Sequence, residues 1–242
     1  MKTFNIILCG ACGRVSKKFI FFLNKKRNFS IISFVSNRIK KGNNFGKIKY
    51  FNNLKEAIEE NKKQNFVILD FSHFSNIVYN LRVAFFYKKP IIFIQSEGEK
   101  FKDFFKFYSN FIPILLISNS SLGANLLFDI CEFISRNLPK NESICYEIHH
   151  KQKKEIYSST IKDIVKNKNI SFLNISSFRV SNILGIHKFI FFNDFEEICV
   201  SHRINNFDSF CVGFLNSIIF IYFKKFGLFF FKDIYNLAKY YV

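Results

Sequence analysis

The sequence predicts an α/β protein of two domains, a larger one around a mostly parallel sheet and a smaller one around a mixed sheet. Three observations carry that expectation. The chain opens on an apolar, β-rich run, Phe4 to Cys9, which stops at Gly10-Ala11-Cys12-Gly13 and continues as a helical pattern from Arg14 to Leu23. Four further apolar runs then alternate with helical stretches, the pattern of βα units whose strands are covered on both faces. From Ser171 onward three strands follow one another without helices between them, which implies antiparallel or mixed pairing.

In order along the chain, Ser30 to Val35 reads as the second buried strand and Leu54 to Glu60 as a short helix. Phe66 to Asp70 (FVILD) is a third strand, Phe74 to Tyr87 a helix, Pro90 to Ile94 a strand, Glu99 to Tyr108 a helix and Pro113 to Ile117 a strand. Leu122 to Leu138 is a long helix, and Ser143 to His149 a strand that ends in paired histidines. A helix over Ser158 to Asn167 precedes the strands Ser171–Val180, His187–Phe192 and Glu196–Arg203. Phe207–Phe223 and Phe231–Tyr240 close the chain as helices, with Gly227 as the stop signal between them. No Pro- or Ser-rich linker separates the halves, so the boundary near Ser120 rests on the change in element order.

Composition narrows the function classes. The chain has 242 residues, 49% of them hydrophobic and 22% charged, which is the profile of a folded protein and not of a disordered polyelectrolyte. Its net charge of +18 invites a nucleic-acid or anionic-membrane partner, but only seven of the 36 basic residues are Arg and none of the charge is clustered. Lys, Asn, Ile and Phe dominate together, and these are residues of AT-rich codons. Charge and phenylalanine content therefore read as base composition, with no nucleic acid and no membrane expected as partners. The longest apolar run, Phe210 to Phe223, contains Asn216 and Ser217 and falls short of the roughly 20 residues that span a bilayer. The six cysteines (9, 12, 131, 145, 199 and 211) lack paired spacing apart from one Cys9-x-x-Cys12, so neither a metal site nor a disulfide framework is expected. With no cleavable signal visible, a reducing cytoplasm is the expected compartment.

Two stretches carry chemistry. The first is Gly10-Ala11-Cys12-Gly13-Arg14-Val15. After a first strand, glycines allow a tight turn and let a diphosphate approach backbone N–H groups at a helix start, where the dipole favours negative charge. In an alternating βα run this predicts a Rossmann-like parallel-sheet nucleotide-binding domain; the plain alternative is a strand-to-helix turn. At the end of the second strand Val35-Ser36-Asn37-Arg38 offers no carboxylate for a ribose 2′-OH but does offer a guanidinium, with Lys40 and Lys41 beyond, which leans towards NADPH over NADH; a solvated basic turn is the plain alternative. The second stretch is His149-His150-Lys151-Gln152-Lys153-Lys154, with Ser158-Ser159-Thr160 opening the next helix. Cationic and proton-donating groups there converge beside helix-start N–H donors, which suits holding a small dicarboxylate and delivering a proton. An exposed polar loop is the plain alternative.

With these residues in place, the chain resembles the 4-hydroxy-tetrahydrodipicolinate reductase (dihydrodipicolinate reductase) family. Gly10 to Val15 is similar to its G-x-x-G-R-M loop, Asp70-Phe71-Ser72 to its D-F-[ST] element, and Asn119 to Asn125 to its N-F-S-x-G-x-N segment. Glu147-Ile148-His149-His150-Lys151-Gln152-Lys153 is similar to its E-x-H-H-x-x-K signature. Ser177-Phe178-Arg179, Gly185-Ile186-His187, Ser201-His202, Gly213 and Gly227-Leu228 follow in family order. The resemblance implies NAD(P)H-dependent reduction of 4-hydroxy-tetrahydrodipicolinate in the diaminopimelate route to lysine. It implies His149 and Lys153 as the catalytic acid/base pair, and His150, Ser159 and Thr160, with Lys153, around the substrate carboxylates. Cofactor contacts would come from Gly10, Ala11, Cys12, Gly13, Arg14, Val15 and Arg38, from Gln95-Ser96-Glu97, and from Ile117, Ser118, Asn119 and Ser120. It further implies a nucleotide domain over 1–120 completed by helices of 207–242, a smaller α/β domain over 121–206 with a mixed sheet, and a homotetramer.

The chain departs from the family pattern at several points. Ser16 replaces the last loop glycine, Gln95-Ser96-Glu97 replaces G-T-T, and Ser159 stands at the carboxylate-binding glycine of D-A-P-S-G-T-A. Phe207 replaces an arginine, and the stretch between Thr160 and Arg179 is shortened. A non-catalytic nucleotide-binding relative is the competing expectation.

Overall fold

The computed structural model describes residues 2–39, 44–94, 98–138, 140–158, 161–162, 164–165, 170, 172 and 174–235. The chain divides into two compact units, Met1–Ser118 with Cys211–Val242, and Asn119–Phe210.

In the first unit β1 (Phe4–Cys9) leads through the glycine turn to α1 (Arg14–Leu23) and β2 (Phe29–Val35). A two-residue strand β3 (Asn44–Phe45) turns at Gly46 into β4 (Ile48–Phe51), followed by α2 (Leu54–Glu60) and β5 (Phe66–Asp70). A 3-10 turn, Phe74–Asn76, opens α3 (Ile77–Phe86), then come β6 (Ile91–Ile94), a second 3-10 turn, α4 (Lys102–Tyr108) and β7 (Pro113–Ile117). All five residues of β5 are buried, as are four of the five in β7, which is why these strands read as continuous apolar runs. The sheet order is β12-β7-β6-β5-β1-β2-β4-β3, with β12 (Gly227–Phe230) at one edge; every pairing is parallel except the β3–β4 hairpin. Strand order reverses at β1, so the crevice beyond the carboxyl ends of β1 and its neighbours is where this class of sheet binds ligands.

The second unit packs α5 (Leu122–Asn137) on one face of a four-stranded sheet of β8 (Glu142–His149), β9 (Asn174–Arg179), β10 (Gly185–Phe192) and β11 (Glu197–Ile204), ordered β11-β10-β8-β9. The β8–β9 pair is parallel and the other two are antiparallel, a mixed sheet. Ser121 caps α5 by accepting from the Ala124 amide at 3.3 Å. Leu127, Phe128 and Cys131 on α5 pack with Cys145, Phe189 and Phe191 of the sheet.

α6 (Asp208–Tyr222) returns the chain to the first unit, where Phe214 meets Phe19 and Phe71 with ring centroids 5.5 and 5.0 Å away. Here the structure corrects the sequence reading. Gly227 is not a stop between two helices; at φ +126° it swings the chain into β12 alongside β7, and its amide donates to the Ser109 carbonyl at 2.8 Å. Leu228 to Phe230 is uniformly apolar, so no period separates strand from helix there. The helix expected over 231–240 is the single turn α7 (Lys232–Tyr235), and residues from 236 lie outside the described residues. Of the helix expected over 158–167, Ile161, Lys162, Ile164 and Val165 are helical, with Ile161 and Ile164 buried. The hairpin β3–β4 was not legible as strands because its short edge is mostly exposed. No helix among the described residues is long and apolar enough to cross a membrane.

Candidate active site

The glycine turn sits at the mouth of a cavity of about 410 Å³ in the first unit, lined by Gly10, Cys12, Gly13, Ser36, Arg38 and Asn53 among others. Gly10 has φ +72°, and a Cβ on it would lie 2.6 Å from the Phe71 carbonyl carbon and 2.7 Å from the Ser72 nitrogen. Only glycine lets β1 turn this close to the backbone leaving β5. The Gly10 carbonyl accepts from the Gly13 amide at 2.9 Å and from the Ser16 hydroxyl at 2.8 Å. Ser16, fully buried, thus replaces the family glycine with a hydrogen bond that closes the turn. No side chain caps α1, so its first N–H groups are left without a side-chain acceptor.

The rest of the turn is spread across the surface in a graded way. Ala11 is buried, Cys12 and Gly13 are half-buried, and Arg14 and Val15 are exposed. Ser36 donates to Cys12 Sγ at 3.2 Å and accepts from the Arg38 amide at 3.2 Å, which folds the exposed Arg38 back over the cavity wall. Beneath the cavity, burial pushes the Asp70 carboxyl up, against hydrogen bonds from the Ser72 amide and the Asn80 side chain, both at 2.7 Å. Ile117 is buried at the end of β7 and Ser118 is exposed. The buried Asn119 accepts from the Ser121 amide and, through its carbonyl, from Asn125, while Ser120 donates to the Phe210 carbonyl at 3.0 Å. Gln95, Ser96 and Glu97 lie outside the described residues.

In the second unit, period-2 alternation along β8 puts Ser143, Cys145, Glu147 and His149 on the buried face. Register then builds a polar row straight across the sheet: His202 opposite His187, His187 opposite Glu147, and Glu147 opposite Ser177. Glu147 is fully buried; its carboxylate accepts from the Ser158 amide at 3.0 and 3.2 Å, from the Ser177 hydroxyl at 2.8 Å and from His149 Nε2 at 3.2 Å. Burial alone would push the Glu147 carboxyl up, but these donors outweigh it and hold it at about 2. His149 Nδ1 lies 2.9 Å from the Leu184 carbonyl. Both ring nitrogens therefore lie within hydrogen-bond distance of an oxygen.

The loop after β8 is tied down by Arg179. Its guanidinium donates to the carbonyls of Lys153 (3.3 Å), Ile156 (2.8 Å) and Glu155, and to the Ser177 hydroxyl at 2.7 Å. His150 and Lys153 are half-buried, and burial pushes the Lys153 ammonium down, opposed by Glu147 and Glu155. Ser158 starts the helical turn that follows, its hydroxyl accepting from the Ile161 amide at 3.3 Å. Ser159 and Thr160 lie outside the described residues. Glu147, Arg179, His187 and His202 were seen in the sequence only as members of an ordered motif set. The i, i+2 spacing of Glu147 and His149 was the available signal for the first; the cross-strand row has none. Glu147, His149 and His187 offer ligand atoms within 4.8 Å of one another, a set that could hold a metal ion, but the carboxylate is already engaged by three donors.

The His187 ring, 1% exposed, is held neutral by burial, with its pKa down at about 3. The unfolded chain takes up that proton near 6.5, so the stability it represents is present above 6.5 and is lost as pH falls towards 3. Urea unfolding should show a loss of about 2 kcal/mol between pH 7 and pH 5, and His187→Leu should flatten that slope. A wild-type slope of zero over this interval contradicts the assignment.

A nearly all-parallel sheet with an uncapped glycine-turn helix, joined to a unit that carries a buried acid–imidazole row beneath a lysine loop, defines a two-unit α/β protein of the Rossmann type. The chain belongs to the dihydrodipicolinate reductase family: residues 4–119 match the family's N-terminal domain and residues 123–235 its C-terminal domain. It is 30% identical over 262 residues to the 4-hydroxy-tetrahydrodipicolinate reductase of Pelagibacter ubique, covering 98% of this chain and 99% of that one. The same enzyme of Alkaliphilus oremlandii is 32% identical over 195 residues, covering 71% of this chain and 80% of the relative. In fold the chain is similar to a dipicolinate-bound dihydrodipicolinate reductase from Paenisporosarcina, with a TM-score of 0.72 at 15% identity over 94% of this chain and 97% of that one.

Proposed function

We propose that this chain reduces 4-hydroxy-tetrahydrodipicolinate to tetrahydrodipicolinate with NAD(P)H, as the names of its full-length relatives state for them. The observation that carries the reading is the loop after β8, where Lys153, His149 and the helix start at Ser158 are locked together through Glu147 and Arg179. A small dicarboxylate finds cations there, and the reaction needs a proton beside them.

The first unit fits a dinucleotide. The glycine turn on the cavity wall, the uncapped start of α1 and Arg38 suit a diphosphate and a 2′-phosphate. When bound, the reduced nicotinamide supplies a hydride to the ring of the dehydrated substrate. The second unit does the rest. His150, Lys153, Ser159 and Thr160 hold the carboxylates, Lys153 and His149 are the acid/base pair that protonates the adjacent carbon, and the buried network keeps water from rearranging them.

NADPH is the preferred cofactor in this reading, since Val35 to Arg38 presents a guanidinium and no acid. Arg38→Ala should raise KM for NADPH about tenfold or more and leave KM for NADH nearly unchanged; equal loss with both cofactors contradicts the assignment. A homotetramer is supported by the sheet face opposite α5, where Ile144, Tyr146, Ile148, Ile186, Ile190 and Phe192 are only half-buried. Light scattering should give about four times 28.7 kDa.

The test is purified chain with enzymatically generated substrate and each cofactor in turn. Loss of nicotinamide absorbance dependent on substrate supports the reading. Folded protein that consumes neither cofactor overturns it, and tight cofactor binding without turnover identifies a non-catalytic relative instead.

A further inference from the structure

We propose that Glu147 is the positioning residue of this site, its buried carboxylate holding the His149 ring in place while pinning the backbone at Ser158 and the hydroxyl of Ser177. The inference rests on the reductase reading for its kinetic consequence but on geometry alone for its structural one.

Three kinds of group meet on that carboxylate: the His149 ring, the Ser158 amide and the Ser177 hydroxyl. Each comes from a different part of the site. His149 is on the same strand, Ser158 is the start of the substrate-side helix, and Ser177 passes the connection to Arg179, whose guanidinium fixes the backbone at Lys153. One fully buried anion thus sets the position of both members of the acid/base pair and of the Ser158 backbone. All of its partners donate, so its charge is matched by hydrogen bonds and a neutral replacement cannot copy the set.

The charged and titratable groups around His149 are Glu147 on its own strand, Arg179 in register on β9, His187 on β10 at a ring-centroid distance of 5.2 Å, and Lys153 from the loop. His187 is neutral and contributes no charge. Glu147 is therefore the carboxylate in contact with the His149 ring.

Glutamine in its place keeps the volume but turns one oxygen into a donor. Its oxygen can still accept from Ser158 and Ser177, while its NH₂ then faces His149 Nε2, which must offer a lone pair. The ring then loses the acceptor that holds it, and its orientation is no longer fixed by a charge. Aspartate does the reverse, keeping the charge but shortening the reach. A merely structural role ranks Glu147→Gln above Glu147→Asp; the proposed role ranks them the other way.

The experiment compares wild type, Glu147→Gln and Glu147→Asp at pH 8 and pH 6, with nitrogen-15 spectra of the histidine rings at pH 7. Glu147→Gln should lose kcat about tenfold or more at both pH values with KM for the cofactor unchanged, and fall below Glu147→Asp. The spectra should show the His149 Nε2 signal moved in Glu147→Gln relative to the wild type, because the group it contacts has changed from acceptor to donor. Glu147→Gln within twofold of wild type at both pH values, or an unchanged His149 spectrum, overturns the proposal. A wild type that turns over nothing but shows the expected spectra defeats the reductase reading and leaves the proposed geometry standing.

Discussion

Lys153→Ala lowers kcat by about 10²- to 10³-fold and leaves the dissociation constant for NADPH within about twofold, the range expected when a positioned proton donor is removed. The separation follows from where the residue sits. Lys153 belongs to the second unit, whereas the glycine turn and its cavity belong to the first. The loop itself does not need the ammonium, because the Lys153 amide donates to the His150 carbonyl at 3.1 Å and its carbonyl accepts from Arg179 at 3.3 Å. Both bonds survive truncation, so the thermal midpoint stays near that of the wild type. Steady-state kinetics beside a fluorescence titration of NADPH decides the matter: collapse of cofactor affinity with the rate intact shows that the two roles were assigned to the wrong loops.

Gly10→Ala acts on the other unit and in a different manner. At φ +72° any side chain is strained, and here the added methyl would stand 2.6 Å from the Phe71 carbonyl carbon and 2.7 Å from the Phe71 oxygen. Those contacts are backbone, so relief requires β1 and β5 to separate at their carboxyl ends. Left-handed strain and overpacking together cost about 2–5 kcal/mol. The variant should unfold at markedly lower urea and bind NADPH too weakly to titrate. Gly13→Ala is the control: Gly13 has φ −68°, and its added methyl meets the Gly10 oxygen at 3.2 Å and Ser16 Oγ at 3.4 Å. That change should cost much less. Equal effects from the two alanines contradict the special role given to Gly10.

Local pattern carried much of the fold. Strands such as Phe66–Asp70 and Pro113–Ile117 are legible because burial on both faces leaves continuous apolar runs. The edge strand Gly227–Phe230 was lost because four consecutive apolar positions have no period, and its identity comes from pairing with β7, more than a hundred residues earlier. The site divides in the same way. Gly10 to Val15 and His149 to Lys153 are dense local signals. The row His202–His187–Glu147–Ser177 is a consequence of strand register, a non-local property, and no spacing along the chain announces it. Ser16 shows the opposite case: read as a lost glycine, it proves to be a buried hydroxyl that closes the same turn on the Gly10 carbonyl.

The central claim, that this chain transfers a hydride from NAD(P)H to 4-hydroxy-tetrahydrodipicolinate, is tested most directly by isotope. The purified chain is supplied with enzymatically generated 4-hydroxy-tetrahydrodipicolinate and with NADPH carrying deuterium in the transferable C4 position, and the product is weighed by mass spectrometry. One deuterium per molecule of tetrahydrodipicolinate is the expected result. Product without deuterium, or intact labelled cofactor beside unreduced substrate, contradicts the account.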